Sequence, residues 1–397
     1  MDDSFSGAVM IDNSAPPSQP HYLPIEFTGS GSEYFRIWIV NLLLMFVTLG
    51  IYYPWAKVRR LRYFHANTLV GGEPLGFHAD PKKMLKGYFL VGVLFSLYSA
   101  AGNFSAVAGF LAFVIVATIW PALLKSSMQF RLANTSWRGL RFHFKGSVRG
   151  AYRAVVPLFV PSLVILAALV GVDNQNKPPT WYLATLGVVT LVTLAVLPWL
   201  LWNLKQYQHN HYALASLQTS FKATLGSFYK LFFKALGLVL VPMGVVVALI
   251  AMTFFARKNN LAGGALAKGA IDPATIFMVI TVGFVAVAVA LVIAKPYFTT
   301  RLQNLLWTRT GNTSLRFVSD LRFKSFLWLT VKNWFFVVLT LGFYWPFAAV
   351  AVARMRLEAI TIKTRMHPDT LVGQMRSSEG EAAGEAAGDL FGLDIGF

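Results

Sequence analysis

Long apolar runs alternate with polar loops along this chain, at roughly 85–101, 105–124, 153–172, 181–204, 234–255 and 274–295. Each is long enough to cross a hydrocarbon core of about 30 Å as a helix, so the pattern predicts six full spans. Two further apolar segments, 35–55 and 326–353, carry similar text: N-LLLMFV-TLGIYYPW from Asn41 and N-WFFVVL-TLGFYWPF from Asn333. In both, Thr-Leu-Gly precedes aromatics and a proline. Gly50 and Gly342 relax a helix, and Pro54 and Pro346 lack the N–H that would continue it. The favoured expectation is a half-depth helical hairpin in each segment, entering and leaving on the cytoplasmic side and packed against the bundle, because broken backbone at membrane depth needs protein or water around it. One or two kinked full spans is the alternative.

The loops repeat. Five prolines each have an aromatic neighbour where an apolar run meets a polar loop: Pro54, Pro121, Pro198, Pro296 and Pro346. Thirteen residues after the first three come Asn67-Thr68, Asn134-Thr135 and His211-Tyr212, and twenty-three after come Phe77, Phe144 and Phe221, each opening an F-x-[GA]-x tetrapeptide. In the fourth unit Asn312-Thr313 lies sixteen residues on, followed by FVSD from Phe317, and FTGS from Phe27 precedes the first proline. Such constant spacing indicates internal duplication. Between the markers, NTSWRGLRFHFK sets Leu140, Phe142 and Phe144 on one side of a strand and Arg141, His143 and Lys145 on the other. Arg138-Gly139, like Gly71-Gly72, fits a two-residue hairpin turn that requires positive φ. Each complete unit is therefore expected to run span, short basic helix, β-hairpin, span.

Composition changes the setting. With 56% hydrophobic residues, 13% charged and a mean hydropathy of +0.55, a soluble fold would leave far too much apolar surface in water. The expected fold class is an all-α multi-pass membrane protein built from internal repeats, with short β-hairpins in the cytoplasmic loops. Its expected parts are a disordered segment 1–24, a transmembrane domain 25–375 and a disordered acidic tail 376–397. The first 35 residues contain no Lys or Arg, so no signal peptide with a basic n-region is expected. There is no cysteine, hence no disulfide and no thiolate chemistry.

The net charge of +18 is distributed by side. Of 35 Lys and Arg, 26 fall in the long loops and the C-terminal stretch and four in the opposite connections. The positive-inside rule places the long loops and the C-terminus in the cytoplasm, where a basic face meets an anionic leaflet. Nucleic acid is not an expected partner.

The combination of TLGIYYPW, the following KVRRLRYFHANT, the F-x-G-x tetrapeptides and the terminal GLDIGF resembles the YjgN family of bacterial inner-membrane proteins, whose molecular function is not established. The resemblance covers nearly the whole chain. It implies a bacterial inner-membrane location and supplies no catalytic residues.

Candidate chemistry is sparse. All seventeen acidic residues lie outside the apolar spans, which argues against a proton-coupled carrier. His209 and His211 form the one close histidine pair, a poor metal site on an acid-poor loop. No GxSxG, Walker-type loop or HExxH is present, so the chain is expected to be non-enzymatic and without cofactors or metal. Arg62, Arg131, Arg138 and Arg141 are candidate contacts for an anion or a lipid head group. Eight residues after each proline stand Arg62, Gln129, Gln206, Asn304 and Arg354, donors that either converge on one polar site or cap exposed backbone. Asn41, Lys332 and Asn333 are the polar residues at lipid depth. Two functions stand: a scaffold whose basic face contacts anionic phospholipids or partner proteins, the latter also through its tail, and a passive or anion-selective transporter or channel.

Overall fold

A computed structural model describes residues 21–172, 177–215, 217–262 and 273–365, with 369, 370, 372 and 373. β1 (His21–Phe27) leads into α1 (Gly31–Val47) and α2 (Tyr53–Ala66), followed by β2 (Thr68–Val70) and β3 (Glu73–Phe77). α3 (Pro81–Phe104) and α4 (Ala106–Ala133) precede β4 (Thr135–Trp137) and β5 (Leu140–Phe144). α5 (Val148–Val170) and α6 (Thr180–His209) precede β6 (Tyr212–Leu214), β7 (Leu217–Gln218) and β8 (Ser220–Phe221). α7 (Leu225–Ala262) and α8 (Pro273–Thr308) precede β9 (Thr310–Gly311) and β10 (Leu315–Ser319), and the described chain closes with α9 (Phe323–Leu339), α10 (Trp345–Glu358) and β11 (Ile360–Thr364).

The strands do not remain separate hairpins. They join into one eleven-stranded antiparallel sheet in the order β7-β6-β5-β4-β3-β2-β1-β11-β10-β9-β8, which corrects the expectation of isolated cytoplasmic hairpins. The strands β1, β3 and β5 each divide their length between two partners: Leu140 and Arg141 of β5 pair with β4, while Phe142–Phe144 pair with β6. A lone hairpin of three to five residues would expose unpaired edges and be marginal in water. Here the two end strands, β7 and β8, are joined by Thr219 alone, so the sheet nearly closes on itself.

Five units of a helix, strands and a helix make this ring, each with two strands except the third, which has β6, β7 and β8, and the fifth is split. Its first half is α10–β11 and its second half β1–α1, brought together by pairing of His21–Pro24 with Thr361–Thr364. The strand β1 begins within the stretch expected to be disordered, and residues 1–20 and the acidic tail lie outside the described residues. In every unit the residue thirteen after the proline accepts a backbone bond from the residue that follows a strand end: Thr28 N to Asn67 O, His78 to Asn134, Lys145 to His211, Lys222 to Arg309 and Asp320 to Ala359, at 2.8–3.0 Å. The fourth unit therefore keeps the spacing of the others, and the assignments of Asn312-Thr313 and FVSD to that register are corrected. Thr310 confirms this, its Oγ1 donating to Leu306 O at 2.7 Å as Thr68 donates to Phe64 O.

The tetrapeptide has a physical reading. Phe27, Phe77, Phe144 and Phe221 end their strands buried at 3–8% exposure, and the small residue two places on lies beneath aromatic rings. A Cβ at Gly146 would meet the Phe144 ring at 2.4 Å. The fourth position caps the outgoing helix, as Ser30, Asp80 and Ser147 do by accepting from Glu33 N, Lys82 N and Gly150 N. In the fourth unit the sizes are exchanged: Ser319 replaces the phenylalanine and buried Leu321 the small residue.

The hairpin turns lie at positive φ: Gly71 (56°) and Gly72 (83°), Arg138 (49°) and Gly139 (83°). On β5 the expected alternation is present, with Leu140 and Phe144 buried and Arg141 and His143 exposed.

Because adjacent units pair through the sheet, each helix pair leaves the sheet and returns to it. Pro121, Pro198 and Pro296 lie inside the continuous helices α4, α6 and α8, so the expected separate basic helix is instead the sheet-side half of a long one. α2 and α10 begin one residue before their prolines and consist of that half alone. The helices α3 to α8 supply the six that are long and apolar enough to cross a membrane. Each helix packs mainly on its chain neighbours, and α10 on α1 closes the circle. The packed core sits at the sheet end, around Val58, Met84, Phe130, Leu140, Val155 and Phe228. Each such side chain contributes about 2 kcal/mol by leaving water. In the spans, no more than 22% of any apolar window is buried within the protein, so their remaining surface suits lipid.

Candidate functional site

The proline helices present two faces. Residues eight after the proline point toward their own loops: Arg62 Nη2 donates to Ala79 O at 3.0 Å, Asn304 Nδ2 to Leu321 O at 3.0 Å and Arg354 Nη2 to Gly29 O at 2.8 Å. Asn304 Oδ1 also accepts from Leu321 N at 2.9 Å. These three thus bind equivalent loops and do not come together. Gln129 and Gln206 occupy the same register, half-buried.

Residues three, six, seven and ten after the proline lie within about 100° of one another on the helix, far from the eighth. They carry cations: Lys57 and Arg60 on α2, Arg131 on α4, Lys205 on α6 and Arg356 on α10. Burial first, then the charges of Arg131 and Arg60, pull the Lys57 ammonium down from 10.5 to about 8. Arg131 also acts electrostatically on Lys205. Arg60 and Arg356 line one cavity of about 630 Å³ with Gln303 of α8. That cavity touches α2, α8, α9 and α10, and α10 stands between the units of the other two proline helices. The five cations form a chain of neighbours in the order Lys205, Arg131, Lys57, Arg60, Arg356.

Few anions balance them. Glu358 is the lone acid on the five proline helices, and it lies 4.0 Å from Arg354 on the loop-facing side. The contacts of the cluster are neutral: Lys57 Nζ to Tyr88 Oη at 2.6 Å, Lys205 Nζ to Gln208 Oε1 at 2.9 Å and Arg356 Nε to Gln303 Oε1 at 2.7 Å. Like charges this close, Lys57 partly desolvated among them and none in contact with a described carboxylate, favour an anion between them. Among the described residues no group of three metal-ligating side chains occurs.

The other sequence candidates are dispersed. Arg138 bonds Asp369 and stacks on Trp137 with its guanidinium 5.2 Å from the ring centre, at a hairpin turn. Arg141 is exposed on β5. Lys332 is exposed on α9, whereas its neighbour Asn333 is buried at 5%. Asn41 is also buried, donating to Ala56 O at 3.5 Å and accepting from Arg59 Nη1 at 3.4 Å. Only Arg131 among the proposed arginines joins the inner cluster. Lys57, Arg60, Lys205 and Arg356 were missed, although their spacing from each proline was a readable signal. A second basic cavity, about 400 Å³, lies at the ring margin against Lys222, Arg309, Arg316, Lys363 and Arg365.

A family of bacterial proteins of unknown function, DUF898, matches residues 22–390. Inner membrane protein YjgN of Salmonella typhimurium strain LT2 is 24% identical over 358 residues, covering 86% of this chain and 88% of the relative. The chain belongs to the YjgN family. Inner membrane protein YjgN of Escherichia coli K12 is 28% identical over 141 residues, covering 35% of each chain. No solved structure matches. The YjgN relatives and the six apolar helices make this a multi-pass inner-membrane protein. In YjgN terms, the TLG-x-Y-x-P block is the turn that joins α1 to α2 and α9 to α10.

Proposed function

We propose that the inner face of the ring holds anionic phospholipid head groups at the cytoplasmic surface of the membrane, and that the protein is a non-enzymatic, lipid-contacting scaffold with its C-terminus in the cytoplasm. The observation that carries this reading is the chain of five cations, one or two on each of four proline helices, with no carboxylate of the described residues among their contacts. Cations near an anionic leaflet contribute about 1 kcal/mol each. The test is native mass spectrometry of protein taken from nanodiscs containing phosphatidylglycerol. Lys57→Gln, Arg131→Gln and Lys205→Gln together are expected to release the lipid that the wild type retains, whereas Arg141→Gln, on the exposed strand face, retains it. Retention by the triple variant would overturn the reading.

A second reading, passage of anions through the middle of the circle, is favoured by the contact of α10 with α1 that closes it. There the same cations would select for charge. Chloride flux into liposomes tests it, and equal flux with protein-free vesicles would eliminate it.

A further inference from the structure

The cavity between α2, α8, α9 and α10 is graded along its length. Toward the sheet it is lined by Arg356, Gln303 and Arg60, and toward the tip of the α9–α10 hairpin by Trp345, Trp334 and Val337. Midway lies Asn333, whose Oδ1 and Nδ2 are both buried without a hydrogen-bond partner. An unmade bond at a buried amide costs about 1–3 kcal/mol, so such a group signals a missing partner.

The repeat shows why the amide oxygen has no partner. Asn41 and Asn333 both stand thirteen residues before their prolines, and Asn41 is met by Arg59, five residues after Pro54. The equivalent of Arg59 is Ala351. The second copy lacks the donor that meets the amide oxygen of the first, and Asn333 lines a cavity instead. A volume of 630 Å³ lies within the range of small-molecule sites, about 300–1,000 Å³.

We infer that this cavity is a binding site for one anionic phospholipid, an inference that rests on the ring-interior reading above. Arg60 and Arg356 face the phosphodiester. Asn333 Nδ2 donates to an ester carbonyl, and the acyl chain runs along Trp334, Val337 and Trp345. A soluble anion would use the arginines but leave the amide and the apolar end unoccupied.

The test uses two cavity variants beside the triple ring variant. Ala351→Arg restores the donor found in the first hairpin, and Asn333→Leu removes the amide. Both are expected to lower retained phosphatidylglycerol about tenfold in native mass spectra, with Ala351→Arg melting higher than wild type in lipid-free detergent. Wild-type retention in both variants would overturn the inference. Should the triple variant still lose lipid in that case, the ring reading survives without the cavity. If inorganic phosphate raises the wild-type melting temperature as much as phosphatidylglycerol does, the site is one for a soluble anion and the lipid assignment falls.

Discussion

The two short hairpins, α1–α2 and α9–α10, share a backbone and differ in what they do with it. In the first, Leu49 and Gly50 have φ of 49° and 90°; in the second, Leu341 and Gly342 have 49° and 95°. Thr48 and Thr340 hold the same turn, each donating at 2.7 Å to the carbonyl four residues back and accepting from Tyr52 N or Tyr344 N. Yet Asn41 is satisfied by Arg59 and Ala56, while Asn333 opens unpartnered onto a cavity. The two copies share a turn that stands alone, and they differ at the Arg59 position, where Ala351 offers no donor to the buried amide oxygen.

The largest expected effect tests the shared part. Gly50→Val and Gly342→Val both force a β-branched residue to φ near 90°, and each is expected to cost about 2 kcal/mol, measured as thermal stability in detergent. Unequal losses would break the equivalence of the turns. The difference between the copies comes next. Arg59→Ala leaves buried Asn41 without its charged donor and is expected to destabilise by about 1 kcal/mol, whereas Asn333→Leu is expected to stabilise the lipid-free protein by a similar amount. Equal signs would show that the two asparagines share one environment.

Lys57 gives a pH test. Below about pH 8 its ammonium is charged in both folded and unfolded states, and the folded state bears the full cost of burying it. Between about 8 and 10.5 the folded protein releases the proton that the unfolded chain keeps, so stability from this group rises with pH across that window. Lys57→Gln is expected to abolish the rise, and anion retention in the wild type is expected to weaken through the same interval. A flat wild-type profile would remove the desolvated cluster. The smallest effect is expected of Ser136→Ala, which loses an exposed bond to His78 Nε2 at 2.8 Å and is expected to change stability by less than about 0.5 kcal/mol.

Much of the architecture was legible because its causes are local. The positive-φ turns at Gly72 and Gly139, the alternation of β5 and the six spans follow from backbone sterics, side-chain period and hydrocarbon thickness, all readable within a few residues. The fourth unit was misread because Arg309 and Ala359 make their repeated contact through a backbone carbonyl, which leaves the side chain free to vary. Asn312 and Thr313 resembled the marker without occupying its place. Exchange of Phe and small residue at Ser319 and Leu321 hid the tetrapeptide in the same way, since packing constrains the summed volume and not each position.

The sequence alone determined the membrane setting, the duplication and the charge asymmetry, because each is a sum over many residues that no single contact can reverse. Tertiary structure decided how the units close. Strands of two to seven residues carry too little pattern to name partners, and β1 pairs with β11 across more than three hundred residues. It also decided which cations come together and which asparagine is left unpaired. Arg62 and Arg60 differ by two positions in the chain, and a helix turns such neighbours through about 200°, one toward its own loop and the other toward the cavity shared with Arg356.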